Sequence, residues 1–391
     1  MTERVDGSSF GLDELPYGIF STDADGAGDS RRVGVAIGDQ ILDLAAFFDD
    51  PVFAQPTLNA FLAQGRSTWA TVRGRLREAA DSSRVAQCLV PRSGAVMHLP
   101  FDVADFVDFN SSLQHATNAG RILRPGDEPV RKNWRYQPVG YHGRAGTVVT
   151  SGTAVRRPHG QIVLDDRPVL ATTKKLDVEA ELGFVVGAGS HLGTQVPVEH
   201  FADHVFGVVL LLDWSARDVQ AFETVPLGPF LGKSFATTIS AWVLPLDALV
   251  DARVPAPAQV PAPMDYLRPT ESWALDVRLE LSVNGCVVSR PRFETMYWTA
   301  AQQLAHLTVN GASLRSGDLF GSGTVSDAVE FGSLLELSWD GERPLRLADG
   351  SVRSYLEDGD VVTLTATAPG SRGDLFVGSV SGTVEPAVTT R

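Results

Sequence analysis

The sequence predicts a mainly β protein of the α+β class, and three observations support this fold class. Val277 to Val283 alternates between apolar and polar residues, which is typical of a half-buried strand, and further short stretches of strand character follow in the C-terminal part. Asn284-Gly285, directly after that stretch, is the strongest hairpin signal in the chain. Helical spacing is largely confined to a few segments, chiefly Asn59 to Ala80 and Thr299 to Val309.

The first 100 residues are predicted to form a small β domain with one or two helices. Arg32 to Leu44 alternates and breaks at Gly38-Asp39, which indicates a turn between two short strands. Asn59 to Ala80 supplies the helices, and Leu99-Pro100 marks the crossing into a second domain. Because 391 residues are enough for two domains, we place the boundary near residue 100 and assign residues 101–391 to the second domain.

The second domain is predicted to be mostly β. The apolar run Val208 to Leu212 indicates a strand buried on both faces, although a short buried helix segment has the same pattern. Leu176 to Val186 has strand character, and Asn310-Gly311 would end the predicted helix that precedes it. Short strands are expected again near the C-terminus, over Leu334 to Trp339, Asp360 to Ala368 and Leu375 to Val384.

Composition excludes several classes of protein. The net charge of −14 argues against nucleic acid as the main partner, because phosphate binding requires clustered Lys and Arg. The two cysteines, Cys88 and Cys286, are far apart, so a disulfide framework is not expected. The N-terminal residues are polar and no stretch is long and apolar enough to span a membrane, so we expect a soluble cytoplasmic protein without a membrane partner.

Two glutamates in one predicted strand indicate a cation site. Glu179 and Glu181 are two residues apart, so both carboxylates lie on one face of the strand. Burying both without a cation would be costly, and the flanking residues are apolar enough to suggest burial. If Asp108 and Asp213 join them, the four carboxylates form an oxygen-only site suited to Ca²⁺ or Mg²⁺. The alternative is a solvated strand face that binds nothing.

Cationic and amide groups follow the buried run directly. If the chain turns helical at Asp213, then Asp213, Arg217 and Gln220 share one helix face. Pro226 to Lys233 holds two prolines and two glycines, which predicts a rigid loop that delivers one lysine. A solvated helix start commonly carries such charges, so this pattern alone does not decide between a functional and a structural role.

His115 is the histidine that the sequence favours as a general base. It lies seven residues after Asp108, in a run that is too polar for core packing, and imidazole titrates near neutral pH. Glu336 is embedded in the predicted apolar strand Leu334 to Leu337, and a carboxylate among leucines requires a partner. We therefore expect Glu336 to orient His115, with an outward-facing strand residue as the alternative.

Long and unusual stretches of the chain resemble the fumarylacetoacetase family. The resemblance runs from Leu15-Pro16-Tyr17-Gly18 to the final strands, and its main stretches are Val33 to Leu44, Gln114 to Asn118, Pro138 to Arg144, Asp213 to Gln220, Val225 to Phe235 and Leu334 to Trp339. It implies the full-length, two-domain type, with an N-terminal SH3-like barrel and a C-terminal mixed β-roll or β-sandwich of the fumarylacetoacetase type. It also implies a homodimer with the sites near the subunit contact.

The resemblance also implies roles for individual positions. The metal ligands would be Asp108, Glu179, Glu181 and Asp213, with Lys233 and Thr237 in the surroundings of a Ca²⁺ or Mg²⁺ ion. His115 would be the catalytic base and Glu336 its partner. The groups around the reacting oxygens would be Arg217, Gln220 and Lys233. Substrate would contact Arg124, Tyr141, Gln220 and Thr324.

Three positions depart from the family pattern. Asn110, two residues after the first metal-ligand position, stands where the family has a substrate-contacting tyrosine, and Thr224 replaces a second such tyrosine. Ala241 stands where the family usually has proline after Ser240. Asn110 and Thr224 remain candidate substrate-binding residues, and the loss of both rings indicates either a roomier pocket or a variant that handles the same substrate.

The implied activity is metal-dependent hydrolysis of a carbon–carbon bond in a β-diketo acid. The first candidate substrate is fumarylacetoacetate, cleaved by water to fumarate and acetoacetate in the last step of tyrosine and phenylalanine catabolism. The residue types fit this chemistry, since it requires a base for water, a polarised carbonyl and donors for an oxyanion. One alternative is a different diketone or acylpyruvate, including non-hydrolytic decarboxylase, isomerase, dehydratase or cyclase chemistry. Another is a metal-stabilised binding or scaffold protein.

Overall fold

The computed structural model describes residues 10–22, 30–80 and 82–388. The polar N-terminal stretch considered above lies outside these ranges. The described chain is mainly β and consists of a smaller N-terminal part and a larger C-terminal part, in agreement with the predicted fold class. No helix within the described ranges is long and apolar enough to cross a membrane.

The N-terminal part combines antiparallel strands with short helices. Its strands are β1 (Tyr17–Thr22), β2 (Arg32–Ile37), β3 (Gln40–Asp43), β4 (Leu89–Pro91) and β5 (Ala95–His98). Its helices are α1 (Leu44–Phe48), α2 (Asn59–Leu62), α3 (Arg66–Glu78) and α4 (Ser83–Gln87), with 3₁₀ turns at Pro51–Ala54 and Arg92–Gly94. The helices α2 and α3 confirm the helical spacing, and β2 and β3 pair across the predicted turn at Gly38-Asp39.

The C-terminal part contains most of the strands. In chain order its first ten strands are β6 (Phe106–Phe109), β7 (Gly140–His142), β8 (Val148–Thr150), β9 (Val155–Arg156), β10 (His159–Leu164), β11 (Arg167–Thr172), β12 (Leu176–Val186), β13 (Val205–Ala216), β14 (Thr237–Ile239) and β15 (Trp242–Pro245). Later strands are β16 (Arg253–Pro255), β17 (Trp273–Leu275), β18 (Arg278–Val283), β19 (Cys286–Ser289), β20 (Leu319–Gly321), β21 (Leu345–Arg346), β22 (Val352–Arg353), β23 (Val361–Gly370) and β24 (Gly373–Glu385).

Short helices connect these strands. They are α5 (Leu113–Leu123), α6 (Phe201–His204), α7 (Arg217–Glu223), α8 (Ala300–Thr308) and α9 (Leu334–Leu337). Additional 3₁₀ turns span Lys132–Arg135, Ala145–Thr147, Val198–His200, Leu246–Ala252, Asp265–Leu267 and Phe293–Thr295. Helix α8 begins with a capping box between Thr299 and Gln302, and Gly311 adopts a positive φ just beyond the helix, so the predicted helix is confirmed.

One large sheet joins the two parts of the molecule. Over the described residues its strand order is β4-β3-β2-β1-β15-β13-β12-β20-β6-β7. Strand β1 pairs with β15, so the sheet continues across the predicted boundary near residue 100. At its centre lie β12 and β13, a long antiparallel pair whose residues are all buried. The apolar run Val208 to Leu212 therefore forms a strand that is buried on both faces, as predicted.

A second sheet packs against this central pair. Its order is β19-β18-β23-β24-β9, and β18 and β19 form the predicted hairpin, in which Asn284 and Gly285 both adopt positive φ. Apolar residues of β23 and β24 share one core with Leu210 and Trp214 of β13. A Cβ atom at Gly382 would lie 2.6 Å from the Trp214 ring, so glycine permits this close approach.

Two local predictions are wrong. Asp213 is not on the helix face with Arg217 and Gln220, because β13 continues to Ala216 and the helix begins only at Arg217. The segment around Glu336 is helix α9 rather than a strand: the Ser333 side chain accepts from the Glu336 N–H and caps the helix. A run of four apolar-rich residues is too short to distinguish a buried strand from a buried helical turn by periodicity.

Candidate active site and cation site

The central strand pair carries the acidic residues of the site. Alternation along β12 places Asp177, Glu179 and Glu181 on one face, and Glu179 is paired in register with Asp213 of β13. Asp108 comes from β6, where it is paired with Gly321 of β20. A Cβ atom at Gly321 would lie 2.7 Å from Asp108 Oδ1 and 2.8 Å from Glu181 Oε2, so this glycine leaves room for the two carboxylates to approach.

Four carboxylates converge at this point. One oxygen from each of Asp108, Glu179, Glu181 and Asp213 lies within 4.8 Å of the others, and all four side chains are buried. Asp108 Oδ1, Glu181 Oε1 and Asp213 Oδ1 are buried without a hydrogen-bond partner among the residues the structure describes. Buried acceptors of this kind are costly unless something supplies positive charge. The cluster could therefore bind a metal ion, and its oxygen-only donors fit a hard cation.

The electrostatics of the cluster lead to the same conclusion. Burial, followed by the Asp213 charge for Asp108 and the Asp108 charge for Glu181, raises the pKa of both carboxyls well above the usual range. Burial also raises the pKa of Asp213, and Lys233 offsets only part of that shift. A cation held between these groups would stabilise their charged forms.

Glu179 behaves differently because it is paired with cations. Burial raises its pKa, but Lys233, Arg217 and His115 outweigh burial, and the pKa of Glu179 falls far below the usual range. Lys233 Nζ lies 2.6 Å from Glu179 Oε2 and 2.5 Å from Asp213 Oδ2. Burial lowers the pKa of Lys233, but Asp213 and Glu179 outweigh it and raise the pKa, so the lysine remains charged.

A carboxylate clamp fixes the loop that delivers Lys233. Glu223, the last residue of α7, accepts hydrogen bonds from the N–H groups of Phe230, Leu231 and Gly232 at 2.7, 2.9 and 2.8 Å. A Cβ atom at Gly232 would lie 2.8 Å from the Gln220 backbone nitrogen, so the loop packs tightly on α7 just before Lys233. The predicted delivery of a lysine by a constrained loop agrees with this geometry.

Arg217 lies between two carboxylates and one amide. Its Nε donates to Asp177 Oδ2 at 2.7 Å, its second terminal nitrogen to Glu179 Oε1 at 2.7 Å, and its first to Gln220 Oε1 at 3.1 Å. Burial lowers the pKa of Arg217, but Asp177 and Glu179 outweigh burial and raise it. Because Gln220 Oε1 faces Arg217, the amide nitrogen of Gln220 is the group left to donate elsewhere.

His115 and Glu336 form a second, fully bonded arrangement. His115 lies in the first turn of α5, which Ser112 caps, and its Nδ1 is 2.7 Å from Glu336 Oε2. Glu336 Oε2 also accepts from the hydroxyls of Ser326 and Ser333, both at 2.9 Å, while Oε1 accepts from Asn118 Nδ2 at 3.0 Å. His115 is 6% exposed, so the expectation that its surroundings are too polar for core packing is wrong.

This arrangement fixes the tautomer of the histidine. Because Glu336 accepts from Nδ1–H, Nε2 is the nitrogen available to accept a proton, and it lies 3.3 Å from Thr324 Oγ1 and 3.9 Å from Glu179 Oε1. Burial lowers the pKa of His115, but the Glu336 charge and hydrogen bond outweigh it, and the net pKa is raised. Burial raises the pKa of Glu336, but His115 and the other donors outweigh it, and the net pKa is lowered.

Three other predicted positions also reach the site. The Tyr141 hydroxyl donates to Asp213 Oδ2 at 3.2 Å, and Thr237 is paired with Asp213 in the sheet. Asn110 lies alongside: a Cβ atom at Gly323 would be 2.8 Å from Asn110 Cα, and the Gly323 N–H donates to Glu181 Oε2 at 3.0 Å. Asn110 Oδ1 is itself buried without a partner among the described residues.

Two predicted substrate positions form no hydrogen bond to the carboxylate cluster in the described chain. Arg124 is exposed and donates to the Pro129 carbonyl at 3.0 Å. It follows His115 by nine residues, which corresponds to about 13 Å along a helix axis. Thr224 is half-buried at the C-terminus of α7, where its hydroxyl donates to the Gln220 carbonyl at 2.5 Å. Their assignment to substrate therefore has less geometric support than that of Tyr141 or Thr324.

Several residues that the sequence interpretation missed support the site. Asp177 binds Arg217, and Asn118, Ser326 and Ser333 bind Glu336. Asp177 had a signal, because it precedes Glu179 and Glu181 at the same two-residue spacing in one strand. The partners of Glu336 had none, because serine and asparagine are common in loops and their convergence depends on tertiary folding.

These features are those of an enzyme: a buried cluster of four carboxylates that could bind a metal ion lies beside a hydrogen-bonded histidine–glutamate pair. Residues 13–100 match the model of the fumarylacetoacetase N-terminal family, and residues 106–384 that of the fumarylacetoacetate (FAA) hydrolase C-terminal family. Fumarylacetoacetase from Homo sapiens is 45% identical over 414 residues, covering 97% of both chains. The Caenorhabditis elegans enzyme is 45% identical over 410 residues, covering 97% of both chains.

The chain belongs to the fumarylacetoacetase family. It is accordingly a hydrolase of the class that acts on carbon–carbon bonds. Its fold is also similar to that of the solved fumarylacetoacetate hydrolase from psychrophilic Exiguobacterium antarcticum, with a TM-score of 0.58, 16% identity, and coverage of 95% of this chain and 99% of that chain.

Proposed function

We propose that this enzyme hydrolyses fumarylacetoacetate to fumarate and acetoacetate at the site formed by His115, Glu336 and the four-carboxylate cluster. The observation that carries the proposal is the position of the base: His115 Nε2 lies 3.9 Å from a carboxylate oxygen of the cluster, Glu179 Oε1. A water activated there is adjacent to the place where a diketone oxygen would be held. The similar relatives from human and Caenorhabditis elegans carry the name of this activity.

His115 performs the proton transfer in this proposal. Its Nε2 takes a proton from water, the hydroxide oxygen adds to the carbonyl carbon, and Glu336 stabilises the imidazolium through Nδ1 at 2.7 Å. Collapse of the adduct breaks the carbon–carbon bond and leaves a carbanion, delocalised as an enolate, which receives the proton that His115 took from water, so that the imidazole returns to its neutral form. Thr324 Oγ1, 3.3 Å from Nε2, is placed to hold the attacking water beside the base.

Donors on the other side of the site stabilise the negative charge that develops on oxygen. Lys233, Arg217 and Gln220 lie around the cluster, and all three are held by carboxylates or by one another before substrate arrives. Such preorganised donors typically contribute about 10²–10³ in rate each. Arg217 and Lys233 are already paired with Asp177, Glu179 and Asp213, so these carboxylates partly neutralise the positive charge available to the oxyanion.

A Ca²⁺ or Mg²⁺ ion would be held by the four clustered carboxylates, those of Asp108, Glu179, Glu181 and Asp213. Lys233 and Thr237 would lie beside it. Their all-oxygen donor set and unpartnered oxygens support a hard divalent cation. When bound, such an ion supplies Lewis-acid polarisation of a substrate carbonyl.

The substrate pocket supports one alternative. The contacts of Tyr141 with Asp213 and of Thr324 with His115 support these two residues as candidate substrate contacts. We keep Arg124, Gln220 and Thr224 as further candidates. Asn110 stands where the family has tyrosine, and its buried Oδ1 has no partner among the described residues, so it offers an acceptor to a substrate hydroxyl. That observation favours a different diketo acid or acylpyruvate, carrying a donor at this position, as the second candidate.

We also propose a homodimeric, cytoplasmic enzyme of tyrosine and phenylalanine breakdown. The loop between α7 and Lys233 exposes large apolar side chains, with Leu227 97% and Val225 85% exposed, and covering such a patch is a usual role of a subunit contact. Cys88 and Cys286 are unpaired, which is the normal state of cysteines in a reducing compartment.

The test is turnover of fumarylacetoacetate by the purified protein, followed by loss of diketone absorbance before and after chelation. We expect cleavage to fumarate and acetoacetate, its loss on chelation and its return with Ca²⁺ or Mg²⁺. His115→Ala is the matched control: its metal content should equal that of the wild type while its turnover falls by about 10³-fold or more. A folded, metal-loaded protein that leaves fumarylacetoacetate intact but consumes another diketo acid would replace the first candidate with the second.

A further inference from the structure

A buried carboxylate outside the four-residue cluster connects two functional parts of the site. Asp177 lies on β12, two residues before Glu179, and is fully buried. Its two oxygens accept from the backbone N–H groups of Val178, Leu334 and Leu335 and from the guanidinium of Arg217. We propose that Asp177 is a positioning residue for hydrolysis, which holds Arg217 in the orientation that faces the reacting oxygens; this inference rests on the function proposed above.

The Arg217 side of this contact determines where the guanidinium points. Asp177 Oδ2 accepts from Nε of Arg217 at 2.7 Å and forms an ion pair with one terminal nitrogen, also at 2.7 Å. The same terminal nitrogen donates to Glu179 Oε1 at 2.7 Å, so two carboxylates on one strand face define the guanidinium plane. The other terminal nitrogen is left facing Gln220, at 3.1 Å from Oε1. Planar, two-point pairing of this kind fixes orientation as well as charge.

The helix side of the contact holds Asp177 itself in place. Its Oδ1 accepts from the Leu334 N–H at 2.8 Å and its Oδ2 from the Leu335 N–H at 3.1 Å. These N–H groups belong to the first turn of α9, the helix that carries Glu336. Backbone donors cannot rotate away as a side chain can, so they hold the carboxylate at a set distance from Arg217 and from the His115–Glu336 pair.

An amide at this position cannot reproduce these contacts. Every partner of Asp177 is a donor, and an asparagine of the same shape replaces one accepting oxygen with an NH₂ group. In Asp177→Asn that group lies either at the Oδ2 position, facing Arg217 and the Leu335 N–H, or at the Oδ1 position, facing two backbone N–H groups, so donors are opposed and buried contacts are lost in either orientation. Arg217 then keeps only Glu179 as a charged partner and turns toward it.

The kinetic test compares Asp177→Asn with a matched control. We expect kcat to fall by about 10²-fold while KM changes by no more than roughly threefold and metal content remains at the wild-type level. Asp218→Asn is the control, because Asp218 also accepts from one side chain, that of Thr173, and from two backbone N–H groups, those of Lys174 and Val219. Within the described chain it forms no hydrogen bond with the site residues. A loss of kcat in Asp218→Asn as large as in Asp177→Asn would overturn the proposal.

A double-mutant cycle separates positioning from general support of the fold. If Asp177 acts through Arg217, then Asp177→Asn adds little to the loss caused by Arg217→Ala, and the double variant is about as slow as Arg217→Ala alone. Losses that multiply in the double variant would assign Asp177 a role independent of Arg217 and overturn the proposal.

A crystal structure of Asp177→Asn provides a readout that does not depend on turnover. We expect Arg217 to leave its present position against residue 177, with Glu179 retained as its partner. An unmoved Arg217 would overturn the proposal even if the rate fell. If the wild type failed to hydrolyse fumarylacetoacetate, the proposed function would fall, while the displacement of Arg217 would still decide whether Asp177 positions it.

Discussion

The two ends of the site treat buried carboxylates in opposite ways. At the histidine end, Glu336 has both oxygens bonded, to His115, Asn118, Ser326 and Ser333, and its pKa is lowered because these donors outweigh burial. At the cluster end, Glu181 accepts from the Gly323 N–H with one oxygen only, the other has no partner in the described chain, and burial with neighbouring acids raises its pKa.

This difference separates two uses of a buried negative charge. A fully bonded carboxylate is a fixed anion, suited to orienting a base and stabilising its charged form. Carboxylates with unpartnered oxygens, placed beside one another, carry unfavourable electrostatic energy that a bound cation would relieve. The cluster end of the site is therefore electrostatically unfavourable in a way that a bound cation would relieve, whereas hydrogen bonds hold the histidine end rigid.

The largest expected effect comes from Glu181→Gln. This change keeps the shape but removes one ligand charge, so metal affinity should fall by roughly tenfold or more and activity should fall with it. The metal-free variant should be more stable than the metal-free wild type by about 1–3 kcal/mol at pH 7, because a carboxyl whose folded pKa is raised costs stability once the pH exceeds its unfolded value near 4.5. Calorimetric metal titration and thermal unfolding after chelation measure both quantities.

The sign of the stability change in Glu181→Gln tests whether the buried Glu181 carboxylate is costly without a cation. Since the cost of Glu181 grows as the pH rises, the advantage of the variant should be smaller at pH 5 than at pH 7. Glu280→Gln, a strand residue paired with Arg290 away from the site, is the control and should change neither metal affinity nor activity. A Glu181→Gln protein that is less stable without metal than the wild type would contradict the comparison between the two ends.

The opposite stability change is expected for Glu336→Gln. An amide must present its NH₂ group either to His115 Nδ1 or to Asn118, so a buried contact is lost and the protein should be destabilised by about 1–3 kcal/mol with its metal affinity intact. The rate should fall by about 10²-fold, because the histidine loses the acceptor that fixes its tautomer. Removing the carboxylate takes away the charge and hydrogen bond that chiefly oppose burial, so the pKa of His115 falls and the acidic limb of the pH–rate profile moves to lower pH.

Measurement of kcat against pH, with metal at saturation, tests this prediction together with urea unfolding. An acidic limb that stays at the wild-type pH would mean that Glu336 does not control the titration of the base. If Glu336→Gln lost metal affinity as well as turnover, the histidine end and the cluster end of the site would not be functionally separate.

Local patterns in the sequence predicted the parts of the site that depend on strand geometry. Glu179 and Glu181 were placed on one face by the two-residue period of β12, and the apolar run before Asp213 correctly indicated a buried strand. The prediction that Asp213 shares a helix face with Arg217 was wrong, because nothing in the sequence from Asp213 to Ala216 marks where β13 ends and α7 begins. Strand and helix ends depend on pairing with neighbours, which a single sequence does not contain.

Long-range contacts could not be predicted from the residues alone. Asp108 reaches the cluster because β6 lies beside β20, and Glu336 reaches His115 because a four-residue helix is tied to β12 through Asp177. Neither contact leaves a periodic signal, and both join residues more than 70 positions apart. The resemblance to a known family supplied these pairings, and the physical reason for them became visible only in the fold.

The smallest expected effect lies outside the site, where the same contrast recurs. Asp318, just before β20, is buried: one oxygen accepts from the Arg315 N–H at 2.8 Å, and the other, without a hydrogen-bond partner in the described chain, lies 3.4 Å from Arg315 Nε. Burial raises its pKa to about 6, and Arg315 offsets only part of that shift. Asp360 is its counterpart: both oxygens accept from Arg353, and the pKa of Asp360 is lowered because Arg353 and other donors outweigh burial.

These two aspartates should respond to pH with opposite signs. Because the folded pKa of Asp318 is raised, its favourable contribution to stability is complete below about pH 4 and is lost as the pH rises through about 6. Between pH 4 and pH 7 the Asp318→Asn variant should therefore lose about 1–2 kcal/mol less stability than the wild type loses. The contribution of Asp360 is instead present above about pH 4 and lost as the pH falls, so Asp360→Asn should destabilise the protein at pH 7 and less so at low pH. Urea unfolding at pH 4, 5.5 and 7 checks both. An identical pH dependence in Asp318→Asn and the wild type would mean that an oxygen without a hydrogen bond does not by itself make a buried carboxylate costly, even where its only cation is 3.4 Å away. The high pKa values of the cluster would then have to come from the mutual repulsion of its four acids.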